Sequence, residues 1–324
     1  MPSLSPSPSP LPSQAASPFP GPRRALAALL ALILLAVVGA APVAARGPDL
    51  PTRIDLPDGF RPEGIESLGK WLYTGSLVDG AIWRANAING KGRILVDGEA
   101  GLAAAGLHID DAGRLWVAGA SSGSVRVYSA TSGRHLATYT FPTAGFINDL
   151  DLVDGAVYAT DSVNQQLLVI PLEADGGLPD PSAAMTLPIT GDLVYQMGFN
   201  ANGIAAYGGA LVVVQSNTGF LFHVDPATGV ATRIDTGGVL VTAGDGLEIV
   251  GRTLYVVRNQ VEIVAVFELS EDGLSAEFLG EISEPTATDV PTTATATLGG
   301  LYVVNARFGT TENDYWITRL PLEP

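Results

Sequence analysis

Short runs of β-branched and aromatic residues alternate with turns rich in Gly, Asp and Asn along the chain after residue 50. No long stretch repeats its apolar residues every three to four positions, which is the spacing that gives a helix one apolar face. Short apolar runs bounded by turn residues are instead typical of β-strands. The hydrophobic pattern therefore predicts an all-β fold.

One strand pattern, built around Leu-Tyr-Val or similar residues, recurs six times. Its marker positions lie 42 to 54 residues apart and are Leu72, Leu115, Val157, Leu211, Leu254 and Leu301. A unit of that length holds four strands, and repeated four-stranded units stack radially into a propeller. In the fifth unit the pattern predicts strands at Asp245–Val250, Thr253–Arg258, Glu262–Leu269 and Glu277–Ile282. We expect a six-bladed β-propeller over residues 46–324.

The sixth unit is one strand short, because the chain stops soon after the predicted strand Trp316–Leu322. Thr52–Asp55 has the same four letters as Thr232–Asp235, which the pattern places as the fourth strand of the fourth unit. We therefore expect residues 52–55 to complete the sixth blade. Closing the ring in this way removes sheet edges that would otherwise pair with other chains.

The first 45 residues differ in composition from the rest. Residues 1–22 are rich in Pro and Ser, and two arginines then precede an uncharged apolar run from Ala25 to Ala45. A basic segment, an apolar core and a small-residue end are typical of a signal peptide, here with cleavage before Arg46. An uncleaved membrane anchor is the alternative, because a run of this length can span a bilayer. Both readings predict a secreted or otherwise extracytoplasmic propeller.

Composition excludes several kinds of function. The chain has 17 Lys and Arg against 33 Asp and Glu, and its net charge of −16 argues against nucleic-acid binding. The absence of cysteine excludes disulfides, thiol catalysis and Cys-ligated metals, and only three His are present. We expect a monomer that acts on a small-molecule substrate through oxygen-bearing side chains.

The central channel of a propeller is lined by the starts of its inner strands, which makes it the usual site. Counting nine residues back from each marker gives Glu63, Gly106, Asn148, Asn202, Asp245 and Thr292, with Ala105 replacing Gly106 if an insertion shifts the second unit. Two carboxylates and two amide oxygens form the hard ligand set that Ca²⁺ or another hard divalent cation prefers. The alternative is that these residues only cap strand starts, as Asn and Asp often do.

In addition to this pattern, several short motifs resemble those of a known protein family. They are Pro62-Glu63-Gly64-Ile65, Asn148-Asp149-Leu150, Tyr158-Ala159-Thr160-Asp161-Ser162, Asn202-Gly203-Ile204 and Gly244-Asp245-Gly246-Leu247. With them the chain resembles the SMP-30/gluconolactonase/LRE-like family, and more distantly paraoxonases, diisopropyl-fluorophosphatases and strictosidine-synthase-like proteins. The resemblance implies a divalent cation held by Glu63, Asn148, Asn202 and Asp245. Glu66 is the alternative to Glu63, because some relatives use a Glu just after a Gly-Ile pair.

The resemblance also implies an activity, the metal-dependent hydrolysis of a lactone or related ester. The cation would act as a Lewis acid, and Asp245 is the candidate catalytic base or nucleophile. His108 and Thr292 are candidate substrate contacts, with a packed core histidine as the alternative for His108. The alternative function is a non-catalytic binding propeller with a structural ion, because Thr292 and the small residue of the second unit stand where relatives carry stronger polar groups.

Two further expectations concern residues near the predicted ring. Strand alternation predicts that Asp149, next to Asn148, turns its side chain away from the channel. Tyr195, Met197 and Phe199 fall in the long connection between the third and fourth units. This connection is either a lid or rim over one face, or an ordinary apolar anchor for the loop.

Overall fold

The computed structural model describes residues 50–324. The predicted leader, residues 1–45, lies outside the described residues, so its assignment as a signal peptide or a membrane anchor stays a prediction. Within residues 50–324, no helix combines the length and the apolar character that crossing a membrane requires.

The described chain is built from strands, with two short 3-10 turns at Pro181–Ala183 and Asn259–Val261. In chain order the strands are β1 (Arg53–Asp55), β2 (Pro62–Leu68), β3 (Trp71–Ser76), β4 (Ile82–Asn86), β5 (Gly92–Val96), β6 (Leu107–Ile109), β7 (Arg114–Ala118), β8 (Ser124–Ser129), β9 (His135–Thr140), β10 (Ile147–Val153), β11 (Ala156–Asp161), β12 (Gln166–Pro171), β13 (Met185–Pro188), β14 (Thr190–Gly191), β15 (Ala201–Tyr207), β16 (Ala210–Gln215), β17 (Phe220–Val224), β18 (Val230–Arg233), β19 (Gly244–Val250), β20 (Thr253–Arg258), β21 (Ile263–Leu269), β22 (Ala276–Ser283), β23 (Pro291–Thr297), β24 (Gly300–Asn305) and β25 (Trp316–Leu320).

These strands form six sheets, which we number as blades 1 to 6. The blades contain β2–β5, β6–β9, β10–β13, β15–β18, β19–β22, and β23–β25 with β1. Neighbouring strands within a blade are antiparallel, and only the two-residue β14 adds a parallel pairing, beside β18. The all-β, six-bladed β-propeller is confirmed, and the strands predicted for the fifth unit agree with β19–β22 to within one residue at each end.

The first strand closes the ring. β1 pairs antiparallel with β25, with Arg53 opposite Thr318 and Asp55 opposite Trp316. Ile54, the middle residue of β1, is 2% exposed and packs in a core cluster that contains residues of both blade 1 and blade 6. The strand therefore completes blade 6 as expected, and it also joins that blade to its neighbour.

A β-bulge lies near the start of the inner strand in blades 1, 3, 4, 5 and 6, where the register with the second strand shifts. Two residues of the inner strand there oppose one residue of its partner. The bulged pairs are Glu63-Gly64, Asn148-Asp149, Asn202-Gly203, Asp245-Gly246 and Thr292-Thr293. In an ordinary strand, residues two apart face the same side of the sheet. Because the bulge adds one residue, two residues on either side of it must be three apart to face the same side.

Neighbouring blades also approach closely at the bulges. A Cβ atom added at Gly64 would lie 2.2 Å from the backbone oxygen of Ala105, and one added at Gly203 would lie 2.2 Å from the backbone oxygen of Asp245. Only glycine permits this approach of one backbone to another. These glycines therefore allow the inner strands to meet around the channel, and the predicted ligand residues Glu63 and Asn202 directly precede them.

The closing strand gives a test of the ring. Ile54→Ala should lower the free energy of unfolding by about 2 to 5 kcal/mol, because it opens a cavity between blades 1 and 6. Ile94→Ala is the matched control, since Ile94 also lies on an outer strand but is 36% exposed. Chemical denaturation followed by circular dichroism measures both. Equal losses for the two variants would contradict the closing function of β1.

Candidate metal and substrate site

The four predicted ligand residues meet in one cavity at one end of the channel. Glu63, Asn148, Asn202 and Asp245 all line this cavity, whose volume is about 610 Å³. Each is buried, with 3 to 6% of its surface exposed. Each also occupies the first bulge position of its inner strand, so the same local geometry delivers one oxygen-bearing side chain from each of four blades.

A serine fixes the orientation of the Asn202 amide. Asn202 Nδ2 donates to Ser216 Oγ at 2.9 Å, and Ser216 Oγ donates in turn to the backbone oxygen of Gly244 at 2.5 Å. A hydroxyl has a single hydrogen to donate, so Ser216 must accept from the amide nitrogen of Asn202. The nitrogen and oxygen of this amide are thereby distinguished, and its Oδ1 is left free of the serine.

The same arrangement occurs one blade earlier. Asn148 Nδ2 donates to Ser162 Oγ at 3.0 Å, and Ser162 Oγ donates to the backbone oxygen of Ala201 at 2.7 Å. In both cases the serine of one blade is bonded to the backbone just before the ligand residue of the next blade. Two amide oxygens are therefore presented by equivalent hydrogen bonds.

Asp245 has a comparable partner. Asn259 Nδ2 donates to Asp245 Oδ2 at 2.6 Å. Asn259 follows Asp245 by 14 residues, the spacing that also separates each Asn from its serine. Sequence reasoning missed Ser162, Ser216 and Asn259, although counting 14 residues forward from each ring position would have found all three.

Two buried oxygens at the site have no hydrogen-bond partner, Glu63 Oε2 and Asn202 Oδ1. Leaving a buried polar atom unpaired is costly, so such atoms point to a bound ion, a bound water or a functional role. A hard cation would satisfy both oxygens, and the donor set of two carboxylates and two amides fits it. Among residues 50–324, no group of three or more His, Asp or Glu is suited to a metal.

The two carboxylates of the quartet oppose each other electrostatically. Burial raises the pKa of Glu63 well above its usual value, and the nearby charges of Asp245 and Asp149 raise it further. Burial also raises the pKa of Asp245 to about 7, against the lowering effect of hydrogen bonds from Asn259 and Asn202. A bound divalent cation would reverse both shifts, because it favours the charged form of each carboxyl.

Glu66 and His108 lie in a second cavity of about 210 Å³, separate from the one that holds the quartet. Asp151 and Glu248 line the same cavity, and His108 Nδ1 is 3.1 Å from Asp151 Oδ1. Glu66, Asp151 and Glu248 each follow a ring position by three residues, which is the offset that the bulge brings to the same side. The structure thus groups Glu63, and not Glu66, with the other three candidate ligands.

Thr292 and Asp149 also differ from the four ligand residues in their surroundings. Thr292 is buried and its hydroxyl donates to the backbone oxygen of Glu63 at 2.6 Å, so it supports that strand and does not line the larger cavity. Asp149 does not turn away from the channel as strand alternation predicted. The bulge interrupts the alternation, and Asp149 lines the second cavity, where burial raises its pKa well above the usual value.

The long connection between blades 3 and 4 contributes both an anchor and a rim. Tyr195 OH donates to the backbone oxygen of Asp161 at 2.6 Å, which anchors the loop. Phe199 lines the larger cavity, and its ring meets that of Phe146 edge to face with centroids 5.1 Å apart. Met197 at the tip is 97% exposed.

The fold and this geometry define the chain as a six-bladed β-propeller with a polar quartet at one end of its channel. No protein-family profile matches the chain, and no curated protein matches its sequence. Solved structures do match.

The chain is similar to the major allergen Mala s 1 of Malassezia sympodialis, at 18% identity and a TM-score of 0.63 over 84% of this chain and 96% of that one. It is also similar to a luciferin-regenerating enzyme, at 14% identity and a TM-score of 0.57 over 84% and 95% of the two chains. A catalytically inactive virginiamycin B lyase from Staphylococcus aureus matches at 12% identity and 0.56, over 81% and 82%. At such identities these likenesses show the fold alone, and membership of the SMP-30/gluconolactonase/LRE-like family stays a prediction.

The buried carboxyls predict how stability depends on pH. The pKa values of Asp245, Glu66 and Glu248 are raised to about 7, whereas carboxyls of an unfolded chain titrate near pH 4. Between these values the folded chain binds more protons, so raising the pH lowers stability, by up to about 1.4 kcal/mol per pH unit for each such carboxyl. In chelator, the thermal midpoint should fall from pH 4.5 to 7.5.

Glu248→Gln should make this fall shallower, because it removes one of the carboxyls and keeps an acceptor for the Ala296 N–H, which bonds Glu248 at 2.7 Å. A midpoint that rises over the same range would contradict the assignment.

Proposed function

We propose that the chain is a divalent-cation-dependent hydrolase of a lactone or related ester, with Ca²⁺ as the cation. The supporting observation is the convergence of Glu63, Asn148, Asn202 and Asp245 on one cavity, with Glu63 Oε2 and Asn202 Oδ1 buried and unpaired. All-oxygen sites of this kind suit Ca²⁺, and the two carboxylates balance its charge.

The cation would supply Lewis-acid polarisation of the substrate carbonyl and stabilisation of the oxyanion. Asn148 and Asn202 present their amide oxygens because Ser162 and Ser216 hold the amide nitrogens. Asp245 is the proposed base. Asn259 holds its Oδ2, and the carboxylate accepts a proton from the attacking water and returns it to the leaving alkoxide.

A structural ion in a binding propeller is the competing function, and it would favour a coordination shell closed by protein atoms. The quartet instead lines a cavity of about 610 Å³, a size that is usual for small-molecule sites. The cavity therefore favours hydrolysis over a purely structural ion. Two of the similar structures are named as a regenerating enzyme and a lyase, which is consistent with catalysis on this fold but does not indicate the reaction.

We place this activity outside the cytoplasm, in a monomer. The basic and apolar segments of residues 23–45 have the pattern of a secretory signal or an anchor. The net charge of −16 suits a protein that attracts cations, and it does not suit nucleic acid as a partner.

Titration of Ca²⁺ into chelator-treated protein, with hydrolysis of a panel of lactones and aryl esters as readout, tests this function. Turnover should require the metal and should fall at least 100-fold in Asp245→Asn, which keeps the shape of the side chain but removes its charge. Asp58→Ala, at an exposed position, is the control and should behave as wild type. Metal binding that raises the thermal midpoint without any turnover would instead favour a structural ion.

The orienting serines give a second test that does not depend on turnover. Ser216→Ala frees the Asn202 amide to rotate, so the Ca²⁺ affinity measured by calorimetry should fall about 10- to 100-fold, as for other groups that orient metal ligands. Ser122→Ala is the matched control, because Ser122 Oγ bonds a backbone oxygen of blade 2 at Gly119, away from the quartet. Unchanged affinity in Ser216→Ala would show that the serine does not orient a ligand.

A further inference from the structure

Beyond the quartet, the walls of the larger cavity combine four large apolar side chains with a smaller polar share contributed by Ser216, Asn217, Thr242, Asn259 and Gln260. Leu77, Phe146, Phe199 and Phe308 all face it, from blades 1, 3, 4 and 6 or from the connections that lead into them. Phe146 and Phe199 support each other through their edge-to-face contact. Phe199 and Phe308 are 49% and 45% exposed, so the apolar surface continues from the quartet to the mouth.

The cavity offers no partner for a negatively charged substrate. Among the described residues that line it, none is Lys, Arg or His, and its charged residues are Glu63 and Asp245. Arg258 lies nearby but is engaged elsewhere, since its guanidinium donates to the backbone oxygen and the hydroxyl of Thr242 and pairs with Glu281. A phosphate or carboxylate on the substrate would therefore enter without a countercharge, apart from the bound cation.

The loop that carries Phe199 has its polar groups committed to holding its own shape. Asn200 Nδ2 donates to the backbone oxygens of Gln196 and Gly198, and Asn217 Nδ2 donates to Asn200 Oδ1 at 3.0 Å. The loop is thus fixed, with Phe199 lining the cavity. Along this loop a sugar-like lactone would find few free partners for its hydroxyls, and unpaired buried hydroxyls are costly.

We infer that the cavity accepts an uncharged lactone or ester whose non-reacting part is an alkyl or aryl group, and that it discriminates against polyhydroxylated and anionic substrates. The inference rests on the proposed function for the reacting carbonyl, which the quartet receives. The apolar part lies against Phe146, Phe199 and Phe308. Burying each added methylene should strengthen binding about fourfold, equivalent to about 0.8 kcal/mol.

The first experiment compares hydrolysis by the full chain with Ca²⁺ across γ-lactones of increasing alkyl length, beside glucono-δ-lactone. The expected result is a kcat/KM that rises about fourfold per methylene over the shorter members, with glucono-δ-lactone among the poorest substrates. A preference for glucono-δ-lactone, or no dependence on chain length, would overturn the inference while leaving the hydrolase proposal intact.

The second experiment measures binding without turnover. Alkyl γ-lactams of the same lengths resist hydrolysis, and calorimetry should show affinity rising with chain length. Phe199→Ala should reduce this dependence, whereas Phe278→Ala should not, because Phe278 is a partly exposed aromatic residue on β22 that does not line the cavity. If lactams bind in this way while no lactone is hydrolysed, the apolar site stands and the hydrolase proposal fails. If lactams bind without any dependence on chain length or on Phe199, the apolar site is wrong.

Discussion

The structure depends on the close contact between neighbouring inner strands at their bulges. At Gly64 and Gly203 the backbone of the next blade lies where a Cβ atom would be, so the strands meet at a distance that no other residue permits. Because the residue before each of these glycines is a member of the quartet, the same contact brings side chains from different blades to one cavity.

The arrangement has an electrostatic cost that the remainder of the fold must offset. Glu63 and Asp245 are buried together, with Asp149 nearby, in a chain that already carries a net charge of −16. Taking like charges out of water is unfavourable unless a counterion or a proton neutralises them. Six apolar clusters within and between the blades supply the opposing stabilisation. The quartet therefore lowers the stability of the fold locally when no cation is bound.

Much of the fold and of the candidate site could be predicted from the sequence, because the geometry of a propeller blade fixes the spacing of its residues. The hairpin between the inner and second strands has nearly constant length, so counting back from the Leu-Tyr-Val strand of each blade finds one ring residue, and four of the six ring residues form the quartet. The match between residues 52–55 and 232–235 predicted the closing strand. The surroundings of Asp149 and the second cavity around Glu66 and His108 were missed, because a bulge changes which residues share a face and leaves no mark in a simple alternation of polar and apolar residues.

The serine bonds have a consequence for how such a site can arise. Ser162 and Ser216 each bind the amide of their own blade, but their hydroxyls donate to a main-chain oxygen of the following blade. A main-chain oxygen is present whatever the side chain, so the following blade needs the right spacing and no particular residue. A blade that carries its own Asn and Ser can therefore present the amide oxygen whatever side chains the following blade has. Duplication or exchange of such blades could add or move a ligand in one genetic event, without matching changes in the neighbour that receives it.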